Sequence, residues 1–148
     1  GRVIARLYLP GLPLAPATLE GAPTDAAGAR VAELEGSRSW RLAFDASYEG
    51  ALSVRIGSDS GLSITLEEGR LTVDLSGTRY PHGGRRIVTL DEGEARRVEI
   101  LHDRSITEIY LGDGSRVFTT RTFLRGEGTG VTLSGAASVT NVSAVHAD

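Results

Sequence analysis

Two acidic residues have the spacing that invites a chemical reading. Asp103 and Glu108 lie within the hexapeptide Asp103-Arg104-Ser105-Ile106-Thr107-Glu108. A pair of carboxylates about 5–5.5 Å or about 6.5–9.5 Å apart is the working apparatus of glycoside hydrolysis. The competing reading makes both residues architectural. Asp103 and Ser105 can accept from nearby backbone N–H groups and so fix a tight reversal. Glu108, on the strand that follows, would then need a partner, and Arg121 on the next strand is a cross-strand candidate. We adopt the architectural reading, with no catalytic residue expected in the chain.

Other clusters are weaker. Asp91, Glu92 and Glu94 crowd one segment and offer oxygens to a hard cation, but the remaining ligands of a dedicated site are missing, so a solvated loop is expected. The stretch Tyr80-Pro81-His82-Gly83-Gly84-Arg85-Arg86 gathers an aromatic ring, an imidazole and two guanidinium groups. Tyr80, His82 and Arg85 are therefore the candidate saccharide contacts, against the alternative of a plain surface loop. His82, His102 and His146 lack metal-ligand spacing, and the absence of cysteine excludes disulfides and thiolate sites. No metal and no cofactor are expected. Ser105 and Ser134 have no nucleophile-elbow context, and no glycine pattern joins a strand to a helix as phosphate loops require. Asn141-Val142-Ser143 matches a glycosylation acceptor but falls in a predicted strand.

The elements that carry these groups follow from periodicity. From Arg38 onward the pattern alternates: Trp40, Leu42 and Phe44, then Leu52, Val54 and Ile56, then Leu62, Ile64 and Leu66, then Leu71, Val73 and Leu75. A period of two marks half-buried strands. Trp40, the single tryptophan, could stack on a sugar if exposed, but its alternation with Leu42 and Phe44 places it on the core face. Tyr48-Glu49-Gly50, Ser58 to Gly61 and Glu67-Glu68-Gly69 read as hairpin connections. The longer loop from Ser76 to about Arg86 reads as a crossing between sheets. Strand pattern resumes over 97–102, 106–111, 116–123, 130–134 and 138–145. About nine short strands with frequent turns predict an all-β fold of two packed antiparallel sheets, a jelly-roll or concanavalin A-like β-sandwich rather than a closed barrel.

Residues 1–37 read as a lead-in to a sandwich over 38–148, one domain in all. The lead-in holds four of the five prolines. Ile4, Leu7, Leu9 and Leu12 are expected to pack an edge, and Thr24 to Glu35 to form a short helical turn with Asp25 near its start. A net charge of −3 gives no field that would draw nucleic acid, and no apolar run approaches the ~20 residues that cross a bilayer. The start at Gly1 without any methionine reads as a fragment whose missing part lies upstream.

The stretch Val98 to Phe123, VEILHDRSITEIYLGDGSRVFTTRTF, resembles the closing segment of the C-terminal sandwich of glycoside hydrolase family 32, the invertases, levanases and sucrose-6-phosphate hydrolases. That pattern is an apolar strand, Asp-x-Ser, Glu-x-Phe, a turn with Asp-Gly, and a strand carrying Thr and Arg. Asp103, Ser105, Glu108, Tyr110, Asp113, Gly114, Thr119 and Arg121 occupy those positions as a structural motif. His102, Gly112 and Leu124 depart from it. The family's catalytic half carries Asn-Asp-Pro-type, Arg-Asp-Pro and Glu-Cys motifs, and none occurs here.

The resemblance implies a non-catalytic accessory domain of a bacterial β-fructofuranosidase-type enzyme, with sucrose, sucrose 6-phosphate or fructan split by a missing propeller. It implies the catalytic β-propeller of the same chain as partner, fructan or sucrose as further ligands, and an apolar patch left where the propeller would dock. The alternative is a carbohydrate-binding module for fructans. All sixteen basic residues are Arg, which suggests GC-rich bacterial coding; the compartment stays open, with cytoplasm favoured over export.

Overall fold

The computed structural model describes residues 13–57, 61–77, 84–112, 114, 116–121 and 130–147. Eleven strands are present among them: β1 (Ala15–Pro16), β2 (Leu19–Glu20), β3 (Ala29–Val31), β4 (Ser39–Ile56), β5 (Leu62–Glu67), β6 (Arg70–Asp74), β7 (Arg85–Thr89), β8 (Arg97–Asp103), β9 (Ile106–Leu111), β10 (Arg116–Arg121) and β11 (Val131–His146). All pairings are antiparallel. The expected all-β, two-layer sandwich is the observed fold.

Two long strands belong to both layers. The first half of β4 pairs with β8, Trp40 opposite His102 and Phe44 opposite Val98, while its second half pairs with β5, Leu52 opposite Leu66 and Ile56 opposite Leu62. β11 runs beside β4 along its whole length, from Val131↔Ile56 to His146↔Trp40. The first sheet is therefore β10-β9-β8-β4-β11, and the second is β7-β6-β5-β4-β11-β3-β2. Even-numbered residues of β4 point inward on both sides of the bend, so Trp40, Leu42, Phe44, Leu52, Val54 and Ile56 share one core.

Several expectations are corrected here. Tyr48-Glu49-Gly50 is not a hairpin: β4 continues through it, because β11 supplies a ladder across the bend, with Tyr48 opposite Ala137 and Leu52 opposite Gly135. Gly50 is small for a close approach instead, since a Cβ there would stand 3.2 Å from that of Ala136. The phenol of Tyr48 donates to the Ala95 carbonyl at 2.7 Å and ties the bend to the segment before β8. Burial, with the charge of Glu68, raises its pKa above the ordinary tyrosine value.

The 130–134 and 138–145 runs are one strand, β11, kinked by irregularities between Gly135 and Ala137 and between Thr140 and Ser143. Bulges of this kind add a residue without ending the ladder, and alternation alone reads the slip as a gap. The loop after β6 does not cross between sheets either. β7, missed because only Ile87 and Val88 of its five residues are large and apolar, pairs directly with β6. The crossing lies between β7 and β8, where Leu90 and Ala95 are buried.

The stretch before Arg38 contributes to the core: Ala29, Val31 and Leu34 are buried in it. Among the described residues of that stretch, helical geometry is confined to one 3-10 turn, Ala32–Leu34. The Asp25 carboxylate accepts from the Ala22 amide at 3.1 Å and holds a turn. Ile4, Leu7, Leu9 and Leu12 lie outside the described residues.

Gly135 tests the bend. It sits at φ 129°, and a Cβ would meet the Ala51 carbonyl oxygen at 2.1 Å. Gly135→Ala should lose on the order of 1–3 kcal/mol in urea unfolding, whereas Gly69→Ala, with nothing within 4 Å, should stay near the parent midpoint.

Candidate functional site

β8, β9 and β10 have opposite faces of different character. One face, with Ile100, Ile109 and Leu111, enters the main core. The other aligns Leu101 opposite Glu108, Glu99 opposite Tyr110, Thr119 opposite Glu108 and Val117 opposite Tyr110. Leu101, Tyr110 and Val117 form a separate apolar cluster there. Within it Glu108 is 0% exposed and Tyr110 4%. The Tyr110 phenol donates to Glu108 Oε2 at 3.1 Å and the Thr119 hydroxyl to the same oxygen at 3.4 Å. Next to this group Arg41 Nη2 meets Glu99 Oε1 at 2.6 Å, a largely buried pair on the register between β4 and β8.

The residues expected to form a motif are thus partly assembled and partly apart. Glu108, Tyr110 and Thr119 come together. Arg121 does not join them: it is opposite Ile106, two places from Glu108, and exposed, so the expected ion pair is replaced by two hydroxyl donors. The register puts Thr119, not Arg121, directly across. Asp103 closes the β8–β9 reversal but spends its Oδ1 on the Ser39 hydroxyl at 2.7 Å, bracing β4. The two-residue loop Arg104-Ser105 is fixed by Arg104 at φ 56° and by its amide donating to the Arg38 carbonyl at 2.8 Å. Asp103 and Glu108 therefore have separate partners, and Glu108 is shut from solvent.

Gly114 donates its amide to the Leu111 carbonyl at 3.2 Å, and Asp113 lies outside the described residues, as do Tyr80, His82 and Leu124. Arg85 is exposed and 3.8 Å from Asp74. Trp40 is 0% exposed and cannot act as a sugar platform. Glu94 of the acidic segment binds the Arg116 guanidinium at 2.8 and 3.2 Å, and this partner, with the Asp91 amide, holds its carboxyl below the usual range. Among the described residues no three His, Asp or Glu side chains converge as a metal site. The same residues expose one large hydrophobic, Ile87 at 58%, so the expected apolar docking patch is absent from them.

Sequence reasoning missed Ser39, Arg41, Glu99 and Leu101 as members of this face. The signal was present as opposite charges on alternating positions of two strands, but it is visible only once β4 and β8 are known to be neighbours.

A family model described as glycosyl hydrolases family 32 C terminal matches residues 21–147. The chain belongs to this family of C-terminal domains. Its fold is similar to that of a β-fructofuranosidase from Aspergillus kawachii solved with glycerol, with TM-score 0.71 and 13% identity over 94% of this chain and 28% of that one. A sucrose-6-phosphate hydrolase from Lactobacillus gasseri matches with TM-score 0.66 and 18% identity over 88% of this chain and 28% of that one. A family 32 β-fructofuranosidase from Bombyx mori matches with TM-score 0.61 and 18% identity, over 89% and 26%. At such identities the likeness is one of fold, and the chain spans little more than a quarter of these proteins. Comparison with curated protein sequences gives no match.

On the core side of the same strands, this family 32 domain carries a polar insertion. The His102 and Trp40 rings lie 5.4 Å apart, and His102 Nδ1 is 2.9 Å from the Thr107 hydroxyl. Trp40 Nε1, His102 Nε2 and Glu108 Oε1 are buried without a hydrogen-bond partner among the described residues. Burial pushes the His102 pKa down to about 4, with Asp103 opposing weakly, so the folded domain holds this ring neutral at pH 7.

Two outcomes follow. Tyr110→Phe removes a donor from a buried carboxylate and should destabilise by about 1–3 kcal/mol, read as a lower urea midpoint with unchanged slope. For His102 the unfolded ring takes up its proton near pH 6.5 and the folded ring only near 4, so the unfolded state binds more protons between those values. Stability is then complete above about pH 6.5 and falls by about 3 kcal/mol as pH drops through that window. Denaturation at pH 5 to 7 should show this slope in the parent and lose it in His102→Leu, wherever the variant's own midpoint lies. The lowered carboxylates Glu33, Asp45, Asp74 and Glu94 lose their contributions only below their ordinary values of 3.8–4.5.

Proposed function

We propose that this chain is the non-catalytic C-terminal accessory domain of a β-fructofuranosidase-type glycoside hydrolase, docked on the catalytic β-propeller of the same polypeptide and stabilising it. The observation that carries the reading is the family match across residues 21–147 together with the short span of the related enzymes that this chain covers. The side-chain chemistry agrees. Of the two carboxylates with suggestive spacing, Glu108 is sealed among Leu101, Tyr110 and Thr119 and Asp103 is engaged by Ser39. These structural partnerships, and the burial of Glu108 above all, support a non-catalytic reading, because general acid or base work needs a carboxyl in reach of substrate.

The test is a pair of measurements. The 148-residue chain alone should release no fructose from sucrose or levan above blank. Deleting it from the full-length parent should lower the parent's melting temperature and shorten its active lifetime on heating. Turnover by the fragment would end the non-catalytic reading; a truncated parent with unaltered melting temperature would end the stabilising one.

A further inference from the structure

The outer face of the second sheet is a ladder of hydroxyl groups. Ser134 on β11 is opposite Ser53 on β4, Ser53 opposite Thr65 on β5, and Thr65 opposite Thr72 on β6. The row ends at Ile87 on β7, the exposed apolar residue noted above. A second row runs beside it: Thr132, Arg55, Ser63, Asp74 and Arg85 are successive cross-strand partners. With strands about 4.8 Å apart, the four hydroxyls of the first row span about 14 Å. At one end Ser53, Arg55, Thr132 and Ser134 line a depression of about 420 Å³, together with Gly57 and the turn residues Ala26 and Ala27.

Asp74 and Arg85 pair with each other, and Asp74 also accepts from Ser76; the other polar groups of the two rows are uncommitted. Among the described residues Arg55 has no ion-pair partner, and Ser53, Ser63, Thr65, Thr72, Thr132 and Ser134 make no side-chain hydrogen bond, although each hydroxyl can donate and accept and a guanidinium offers five donors. We propose that this face binds a neutral oligosaccharide, laid across β11, β4, β5 and β6 with Arg55 in the depression as its directional donor.

The chemistry selects that ligand class. No carboxylate lines the depression, which removes a metal ion, and a single guanidinium there is too little charge for a polyanion. No aromatic ring lines it, so a flat apolar ligand has nothing to stack on. A ligand bristling with hydroxyls on every side finds both donors and acceptors at the spacing of the strands, and Ile87 offers a CH-rich contact at the far end. The platform is stiff as well: threonine has few χ1 rotamers in a strand, and a site on strands loses little order on binding.

Affinity electrophoresis and calorimetry of the 148-residue chain would use inulin and levan, with maltodextrin and xylan beside them. The choice of fructans rests on the function proposed above, and the other two polymers separate failure of that reading from failure of the site. We expect saturable binding to at least one polymer, weakened at least tenfold in Arg55→Ala and in Thr65→Val, both with unchanged melting temperature. Binding confined to maltodextrin or xylan, with the same losses, would support the site while telling against a fructan-splitting parent. Silence with all four polymers would overturn the proposal, as would parental affinity in both variants or displacement of the polymer by inorganic phosphate.

Discussion

The β4–β11 ladder is the constraint on which the domain rests. Each strand is long enough to belong to both layers, and their pairing continues on both sides of the bend across two irregularities in β11. Every other described strand attaches to this spine, directly or through a neighbour: β8, β9 and β10 on one end of β4, β5, β6 and β7 on the other, and β1 and β3, with β2 beyond β3, along β11. A sheet that folds over on itself in this way keeps one set of alternating side chains inward on both limbs. That is why Trp40 and Ile56, far apart along β4, meet the same core.

The same geometry explains which parts of the fold are legible in the sequence. Alternation reports which residues point inward, and Trp40, Leu42, Phe44, Leu52, Val54 and Ile56 all do so as read. It does not report where a strand stops, because Gly50 and Gly135 look like loop residues while serving a bend and a bulge. Nor can it see β7, whose outward Arg85, Ile87 and Thr89 lie at a sheet edge with little burial to pattern them. The β6–β7 connection misleads for the same reason: a long connection reads as a crossing when the strand after it carries too little pattern to be recognised.

The candidate site shows the complementary limit. That Glu108 and Tyr110 share a face is a matter of parity and was readable. Which residue of β10 faces Glu108 is a matter of register, and a shift of two positions exchanges Arg121 for Thr119. The difference is chemical, since an expected charge pair becomes a carboxylate held by neutral hydroxyls. Arg41 and Glu99 satisfy each other on the adjacent strands instead, so the buried charges of this face are distributed in a way that pairing alone could reveal.

The spine also joins the beginning and the end of the domain. Residues 40 and 146 are partners at one end of it and residues 56 and 131 at the other, so the central seam is closed by β11, which follows every other described strand in chain order. Until β11 leaves the ribosome, β4 has only one of its two flanks occupied, by β8 and β5, and its other edge is bare. Assembly is therefore late and slow by topology, as contacts of long sequence separation impose. The nascent domain must keep a half-built sheet from pairing with neighbours until β11 arrives.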